Sequence, residues 1–414
     1  MASRAAPLIL IALLVSAMAG GCSPADPAER LEQARRLRIE GEPGRAAIIL
    51  QDLIRDRPKD FSLNYELAAA LHEGGHDIDA LMPIAAAIDA DPDSVDARHL
   101  RAAILVALNR DEEALALLRR IVVAAPRRPG VHRLMGTVHA RAGGFERAVN
   151  QFEKELAINP ADAETLTELG VFYLRAGRIE DAASRLERAV TAAPDLSRAH
   201  QFLAEVLFRQ GRSPEGLAAQ RRAVDLAPEE ISLVADHARA LYNYGRAAES
   251  RRLLDEALAR HTPEPLLLME VARQAVDRMD FEMAIEHYKQ VAAIAPGLAE
   301  PILEMGKVYQ SMGRSEEARK MFMKANRLAP SDAYSWYYLG ALDAQAGNLD
   351  EAVRQFRKSL ELDRYNPKAH YALGRALLRL GQREEAEAEM TRHAEILRIL
   401  RERKGAQSGV ATME

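Results

Sequence analysis

Two positions that recur every 34 residues admit nothing larger than alanine or serine along almost the whole chain. The first set runs Ala34, Ala68, Ala102, Gly136, Gly170, Ala204, Ala238, Ala272, Gly306, Gly340 and Gly374. The second, twelve residues later each time, runs Ala46, Ala80, Ala114, Ala148, Ala182, Gly216, Ser250, Ala284, Ala318, Ala352 and Ala386. Small side chains at fixed places let two helices approach closely, and a larger one there would push the pair apart. The chain is therefore bound to an array of similar units, in which the core grows with copy number and a 414-residue length no longer implies two or three globular domains.

The clearest unit is 333–366. It reads as two short amphipathic helices joined at Gly347-Asn348, where a residue without Cβ can take the positive φ that ends a helix. Gly340 and Ala352 are its small places, and Trp336, Leu339 and Phe356 supply packing volume. Pro58, Pro92, Pro126, Pro160, Pro194 and Pro228, then Pro296 and Pro330, keep the same frame and stop the second helix of each unit. This combination of aromatic, Leu-Gly, Ala, Phe and Pro resembles the tetratricopeptide repeat. The resemblance covers residues 27 to 400 in units starting at 27, 61, 95, 129, 163, 197, 231, 265, 299, 333 and 367. It implies an all-α, right-handed α-solenoid of about eleven helix-turn-helix repeats.

Departures gather between residues 245 and 280, where Ser250, Thr262 and Met279 replace the usual Ala, Pro and Gly; shortly before them His237 stands where Leu is expected. They admit a hinge or ordinary drift of a degenerate pattern. In the tenth unit Arg364 replaces the closing proline and Pro367 restarts the chain. The last unit is predicted to carry a long, charged second helix from Gln382 to about Lys404, giving the array a polar end, with 401–414 as the end of that helix and a disordered tail.

The N-terminus reads differently. Arg4 precedes an apolar run from Pro7 to Ala19, too short to span a bilayer and in keeping with a secretory signal over residues 1–21. Cys22, the only cysteine, follows Ala19-Gly20-Gly21 and resembles the lipidated residue of a bacterial lipoprotein. Ala17-Met18-Ala19 offers a competing cleavage site that would leave a soluble periplasmic protein. Residues 22–26 would then tether the array to the membrane surface, with outer-membrane sorting favoured over inner by Ser23. A formal net charge of −5 and 28% charged residues speak against nucleic acid as the partner.

One string carries a catalytic motif. His72-Glu73-Gly74-Gly75-His76 has the zinc-hydrolase spacing, but zinc chemistry needs both histidines on one face of a continuous helix, and two glycines at the inter-helix turn break it. The sequence carries no Walker-type phosphate loop, nucleophile elbow or kinase signature, and leaves about twenty mature residues outside the repeats. We expect a protein without enzyme activity, cofactor or metal.

What remains is surface. In the family resembled here, first helices line a concave groove, and members that clamp a carboxylate use Asn at the ninth place. None of the ninth places here is Asn; Arg239, Arg273 and Lys307 occupy it in three successive units. Arg133, Arg141, Arg175, Arg198 and Arg209 lie at other inward places, partly offset by Glu164, Glu205, Asp277 and Glu300. Tyr334, Tyr337 and Tyr371 follow, with Arg375 beside them, while Trp336 belongs to the core. The expected role is a protein-interaction scaffold or assembly factor of a bacterial cell envelope, holding extended, acidic protein segments in this groove. The alternative is a structural part of a secretion or polysaccharide-export machine.

Overall fold

A computed structural model describes residues 26–260 and 264–408. Cys22, the signal and the tether up to Ala25, Thr262 and the last six residues lie outside that range. Among the described residues there are twenty-two helices and no strand. They fall into two compact units divided between Thr165 and Leu166.

The first unit holds α1 (Pro27–Ile39), α2 (Pro43–Asp56), α3 (Phe61–Glu73), α4 (Asp77–Ala90), α5 (Val95–Ala107), α6 (Asp111–Ala124), α7 (Val131–Arg141) and α8 (Phe145–Ile158). The division falls near the start of α9 (Ala163–Arg175). The second unit continues with α10 (Ile179–Ala192), α11 (Ser197–Arg209), α12 (Ser213–Leu226), α13 (Ile231–Asn243), α14 (Ala247–Arg260), α15 (Pro265–Asp277) and α16 (Phe281–Ile294). It ends with α17 (Glu300–Ser311), α18 (Ser315–Leu328), α19 (Ala333–Ala346), α20 (Leu349–Leu362), α21 (Pro367–Arg379) and α22 (Arg383–Ser408). All even-numbered helices start 34 residues apart, from Pro43 to Arg383.

The turn inside each hairpin explains that regularity. Gly347 has φ +88° and closes α19, with Asn348 N–H donating to the Asp343 carbonyl at 2.8 Å, the double-bonded left-handed cap that satisfies the last carbonyls. The same place in the other hairpins also has positive φ, even where the residue is Asn109 (+59°) or Met279 (+60°). Entry to α7 is the exception among first helices. Pro129-Gly130 delays it to Val131, and the buried Glu155 of α8 caps it by accepting from the N–H groups of Gly130, His132 and Arg133 at 2.7, 3.1 and 3.2 Å.

Both sets of small residues are buried where helices of one hairpin cross. A Cβ on Gly306 would stand 2.4 Å from the ring of Phe322, and one on Gly340 or Gly136 2.7 Å from Phe356 or Phe152. Where the facing residue is Leu50, Ile84, Leu118 or Leu254, the small place is Ala34, Ala68, Ala102 or Ala238, each with essentially no exposed surface. In the hairpin of α11 and α12 the roles are exchanged. Phe208 comes from the first helix and meets Gly216 on the second, at 2.8 Å from an added Cβ.

The irregular stretch is absorbed locally. Ser250 Oγ is buried and donates to the Ala238 carbonyl at 2.6 Å, so the hydroxyl sits where a methyl would and its proton is satisfied. His237 is buried with Nδ1 unpartnered, and burial pushes its pKa down to about 4. At the C-terminus α22 runs to Ser408, beyond the expected end near Lys404, because Gly405 alone does not break a helix flanked by good formers.

Candidate interaction face on the first helices

Neighbouring first helices touch one another: α1 with α3, α3 with α5 and α5 with α7 in the first unit, α13 with α15 and α19 with α21 in the second. Among the described residues no two second helices make comparable contact. The first helices therefore form the inner face of each stack. Side chains at their sixth and ninth places decide its charge.

A rule links these places across hairpins. The ninth-place cation of one first helix reaches the sixth-place residue of the next, 31 residues on. Arg35 Nε donates to Glu66 at 2.8 Å, Arg239 Nε to Glu270 at 3.1 Å, and Lys307 Nζ stands 5.5 Å from the ring centre of Tyr338. The expected cation row is thus held by an anion of the chain itself. Glu270, with its side chain 1% exposed, lies between Arg239 and Arg273 and accepts from Arg273 Nη2 at 2.6 Å. Gln274 Nε2 donates to Glu270 at 2.9 Å and to Ser250 at 2.9 Å, tying this charge to the buried hydroxyl. Asp236 and Asp277 accept from the outer guanidinium nitrogens at 3.2 and 3.5 Å. The hydrogen bond from Glu270 raises the Arg273 pKa against the opposing effect of burial. Sequence reasoning missed Glu270; its signal was an acid 31 residues after an inward arginine.

Lys307 is paired as well, donating to Glu304 at 2.5 Å. Burial opposes its charge, yet the hydrogen bond and negative charge of Glu304 keep its pKa above the usual lysine value. From there the face turns aromatic. Tyr338 stacks on Phe322 at 5.0 Å and meets Tyr337 edge-on at 5.0 Å, and Tyr337 leans on Phe356 at 6.0 Å. Burial pushes the phenols of Tyr337 and Tyr338 up, so both remain neutral donors. Tyr338 too was missed, because an aromatic in a sixth place reads as core until the neighbouring lysine is placed over it. Tyr334 is 43% exposed on the first turn of α19.

Between α19 and α21 this surface opens into a cavity of about 420 Å³, floored by Ala341, Ala344 and Phe356 and flanked by Tyr337 and Tyr371. Arg375 and Arg379 stand at its edge. Tyr371 is 45% exposed, packs against His393 at 5.3 Å and lies under the Arg375 guanidinium at 5.8 Å. Arg379 donates to the Ala344 carbonyl at 2.8 Å. Among the described residues neither Arg375 nor Arg379 has a carboxylate partner, unlike Arg239, Arg273 and Lys307. Tyr337, Tyr371 and Arg375 are brought together here; the Arg239–Arg273 pair forms a separate, internally neutralised network.

The zinc string is divided as its glycines require. Helix α3 ends at Glu73, Gly75 has φ +73°, and His76 precedes α4. His72 Nδ1 instead pairs with Asp77. Among the described residues no group of three His, Cys, Asp or Glu is placed to hold a metal ion, and no helix is long and apolar enough to cross a membrane.

Comparison with known proteins agrees with this architecture. One model of the tetratricopeptide repeat matches residues 79–137, 139–206 and 343–397, a second 303–367 and a third 197–222, together more than half of the chain. A curated relative, DnaJ homolog subfamily C member 3 of Mus musculus, is 29% identical over 105 residues, 25% of this chain and 21% of that protein. Solved structures with similarity include the APC/C hetero-tetramer Cut9-Hcn1, at 15% identity over 86% of this chain and 90% of that one, TM-score 0.44. Another is the MamA RS-1 ArsTM double mutant, at 21% identity over 41% of this chain and 95% of that one, TM-score 0.36. With its 34-residue hairpins, buried small places and left-handed turns matched by these models, the chain belongs to the tetratricopeptide-repeat family.

Proposed function

We propose that this protein is a non-catalytic scaffold that holds an extended, acidic segment of a partner protein on the inner face of α17, α19 and α21. The observation that carries the reading is the contrast in charge pairing. Arg239, Arg273 and Lys307 are matched by carboxylates of the chain, whereas Arg375 and Arg379 border an aromatic cavity without one. A cavity of about 420 Å³ suits one apolar or aromatic side chain, and the two guanidinium groups suit a neighbouring carboxylate. The row at Arg239 and Arg273 contributes less to such a partner than its sequence suggests, since an incoming carboxylate there must compete with Glu270.

The same reading places the protein in a bacterial cell envelope, exported by its N-terminal signal and anchored through Cys22 to face the periplasm. Outer-membrane attachment is the form we favour, with a soluble periplasmic form as the alternative. A second reading, a structural part of an envelope machine through contacts between arrays, draws on Ile48, Ile78 and Met82, which are 68%, 73% and 82% exposed on α2 and α4. Affinity purification of the lipid-free array from envelope extract separates the two: a defined client at low stoichiometry supports the scaffold, self-association alone supports the structural part. Cys22→Ala should move the protein from membrane to soluble periplasm. Wild-type protein that already fractionates as soluble with a free thiol would refute the anchor.

A further inference from the structure

On the side of α19 away from the tyrosine cavity, where α18 and α20 pack against it, lies a second cavity of about 510 Å³ bounded by Arg319, Met323, Trp336, Leu339, Asp343 and Gln355. Its charges are already matched. Arg319 donates to both carboxylate oxygens of Asp343 at 2.7 and 3.1 Å, and Asn348 donates to the same group at 3.3 Å. Burial opposes the Asp343 charge, yet these hydrogen bonds hold its pKa below the usual carboxylate range.

Two polar atoms in this wall are not matched. Trp336 Nε1–H and Gln355 Oε1 are both buried, and neither has a hydrogen-bond partner. Gln355 is 8% exposed, and its orientation is fixed by chemistry: Nε2 donates to Glu351 at 3.0 Å and to Asp343, so turning the amide over would set its oxygen against two carboxylates. A buried indole N–H normally finds an acceptor, and unpaired buried groups are rare in folded proteins. One donor and one acceptor without partners therefore border the same space, walled otherwise by Met323, Leu339 and the indole ring.

An anion would meet a single N–H and the carboxylates of Asp343 and Glu351; a cation would meet Arg319 and Arg327. A neutral group carrying both N–H and C=O meets neither penalty. We infer that this cavity binds an amide, which donates its N–H to Gln355 Oε1 and accepts from Trp336 Nε1, with its alkyl part against Met323 and Leu339. The amide comes either from the side-chain carboxamide of a partner's Asn or Gln or from a main-chain peptide group. This site is independent of the tyrosine cavity and stands or falls without it.

Trp336 is the only tryptophan in the chain, so intrinsic fluorescence reads this wall alone. Full-length protein should be titrated with propionamide for the side-chain source, N-methylacetamide for the peptide source, and 2-butanone as an acceptor without N–H. The expected result is a saturable fluorescence shift with at least one amide, at least about tenfold weaker for 2-butanone and for Gln355→Leu, the loss that follows one unmade hydrogen bond. The tighter of the two amides assigns the source. Should Gln355→Leu fail to fold, Gln355→Met serves, since it keeps the length without the acceptor. No saturable shift, equal affinity for 2-butanone, or unchanged amide affinity in the Gln355 variant would overturn the site and leave the pair to bound water.

Discussion

Replacing Gly306 by alanine tests whether the small places are fixed by the residue that faces them. A Cβ there would stand 2.4, 2.6 and 3.1 Å from Cε1, Cδ1 and Cζ of Phe322, whose side chain has no exposed surface and cannot swing aside. Overpacking of this kind destabilises by about 1–3 kcal/mol, and the better helix propensity of alanine returns about 1 kcal/mol. The expected net loss is about 1–2 kcal/mol. Phe322→Leu alone leaves a void and costs about 1 kcal/mol, at the low end of large-to-small core changes. The double variant Gly306→Ala with Phe322→Leu rebuilds the pairing seen at Ala102 and Leu118, so the two losses should not add. A favourable coupling of about 1–2 kcal/mol is predicted. Because repeat arrays need not unfold in one step, the assay is local: hydrogen exchange of α17 and α18, with Trp336 fluorescence in the next hairpin under urea. A Gly306→Ala protein as stable as wild type, or a double variant showing the full sum, would refute the reasoning.

Three further changes probe the irregular stretch. Met279→Gly should stabilise by up to about 1 kcal/mol, since Met279 sits at φ +60° with an exposed side chain and glycine relieves that conformation at some entropic cost; slower exchange in the turn between α15 and α16 checks it, and faster exchange contradicts it. Glu270→Gln should destabilise by about 1–2 kcal/mol in thermal unfolding, less than for a fully buried pair because Arg239 and Arg273 remain 44% and 37% exposed; an unchanged midpoint would mean the two arginines do not depend on Glu270. His237 has a folded pKa of about 4, below its unfolded value near 6.5, so the unfolded state binds the proton first. Stability is full above about pH 6.5 and falls by about 2–3 kcal/mol as the pH drops towards 4. His237→Leu should remove that part of the pH dependence, and a curve of unchanged slope would place it on other groups.

The frame of the array was legible because its contacts lie inside one hairpin. A residue at the eighth place always meets one sixteen positions on, so Gly306 with Phe322 and Ala102 with Leu118 report themselves through spacing alone. The exchange of Phe208 and Gly216 kept the frame while moving the bulk to the first helix, and spacing did not disclose it. The inner face was harder to read. Whether Arg239 is free depends on Glu270 in the next hairpin, and whether Lys307 is wet depends on Tyr338; both distances combine side-chain reach with the stagger between hairpins. Trp336 was read as core by its place in the motif. Its ring is packed, but its N–H opens onto a cavity that only the arrangement of α18 and α20 creates.

The central claim is that Arg375 and Arg379 present uncompensated positive charge beside the tyrosine cavity for a partner's acidic segment. The most direct measurement is the affinity of one identified client for the wild-type array and for the Arg375→Glu, Arg379→Glu double variant, by titration at low and high salt. Both side chains are exposed, so the variant should fold. Each exposed pair contributes up to about 1 kcal/mol and reversal turns attraction into repulsion, which predicts binding weaker by about tenfold to a hundredfold at low salt and a smaller difference at high salt. An affinity unchanged at low salt would contradict the account and move the binding face elsewhere.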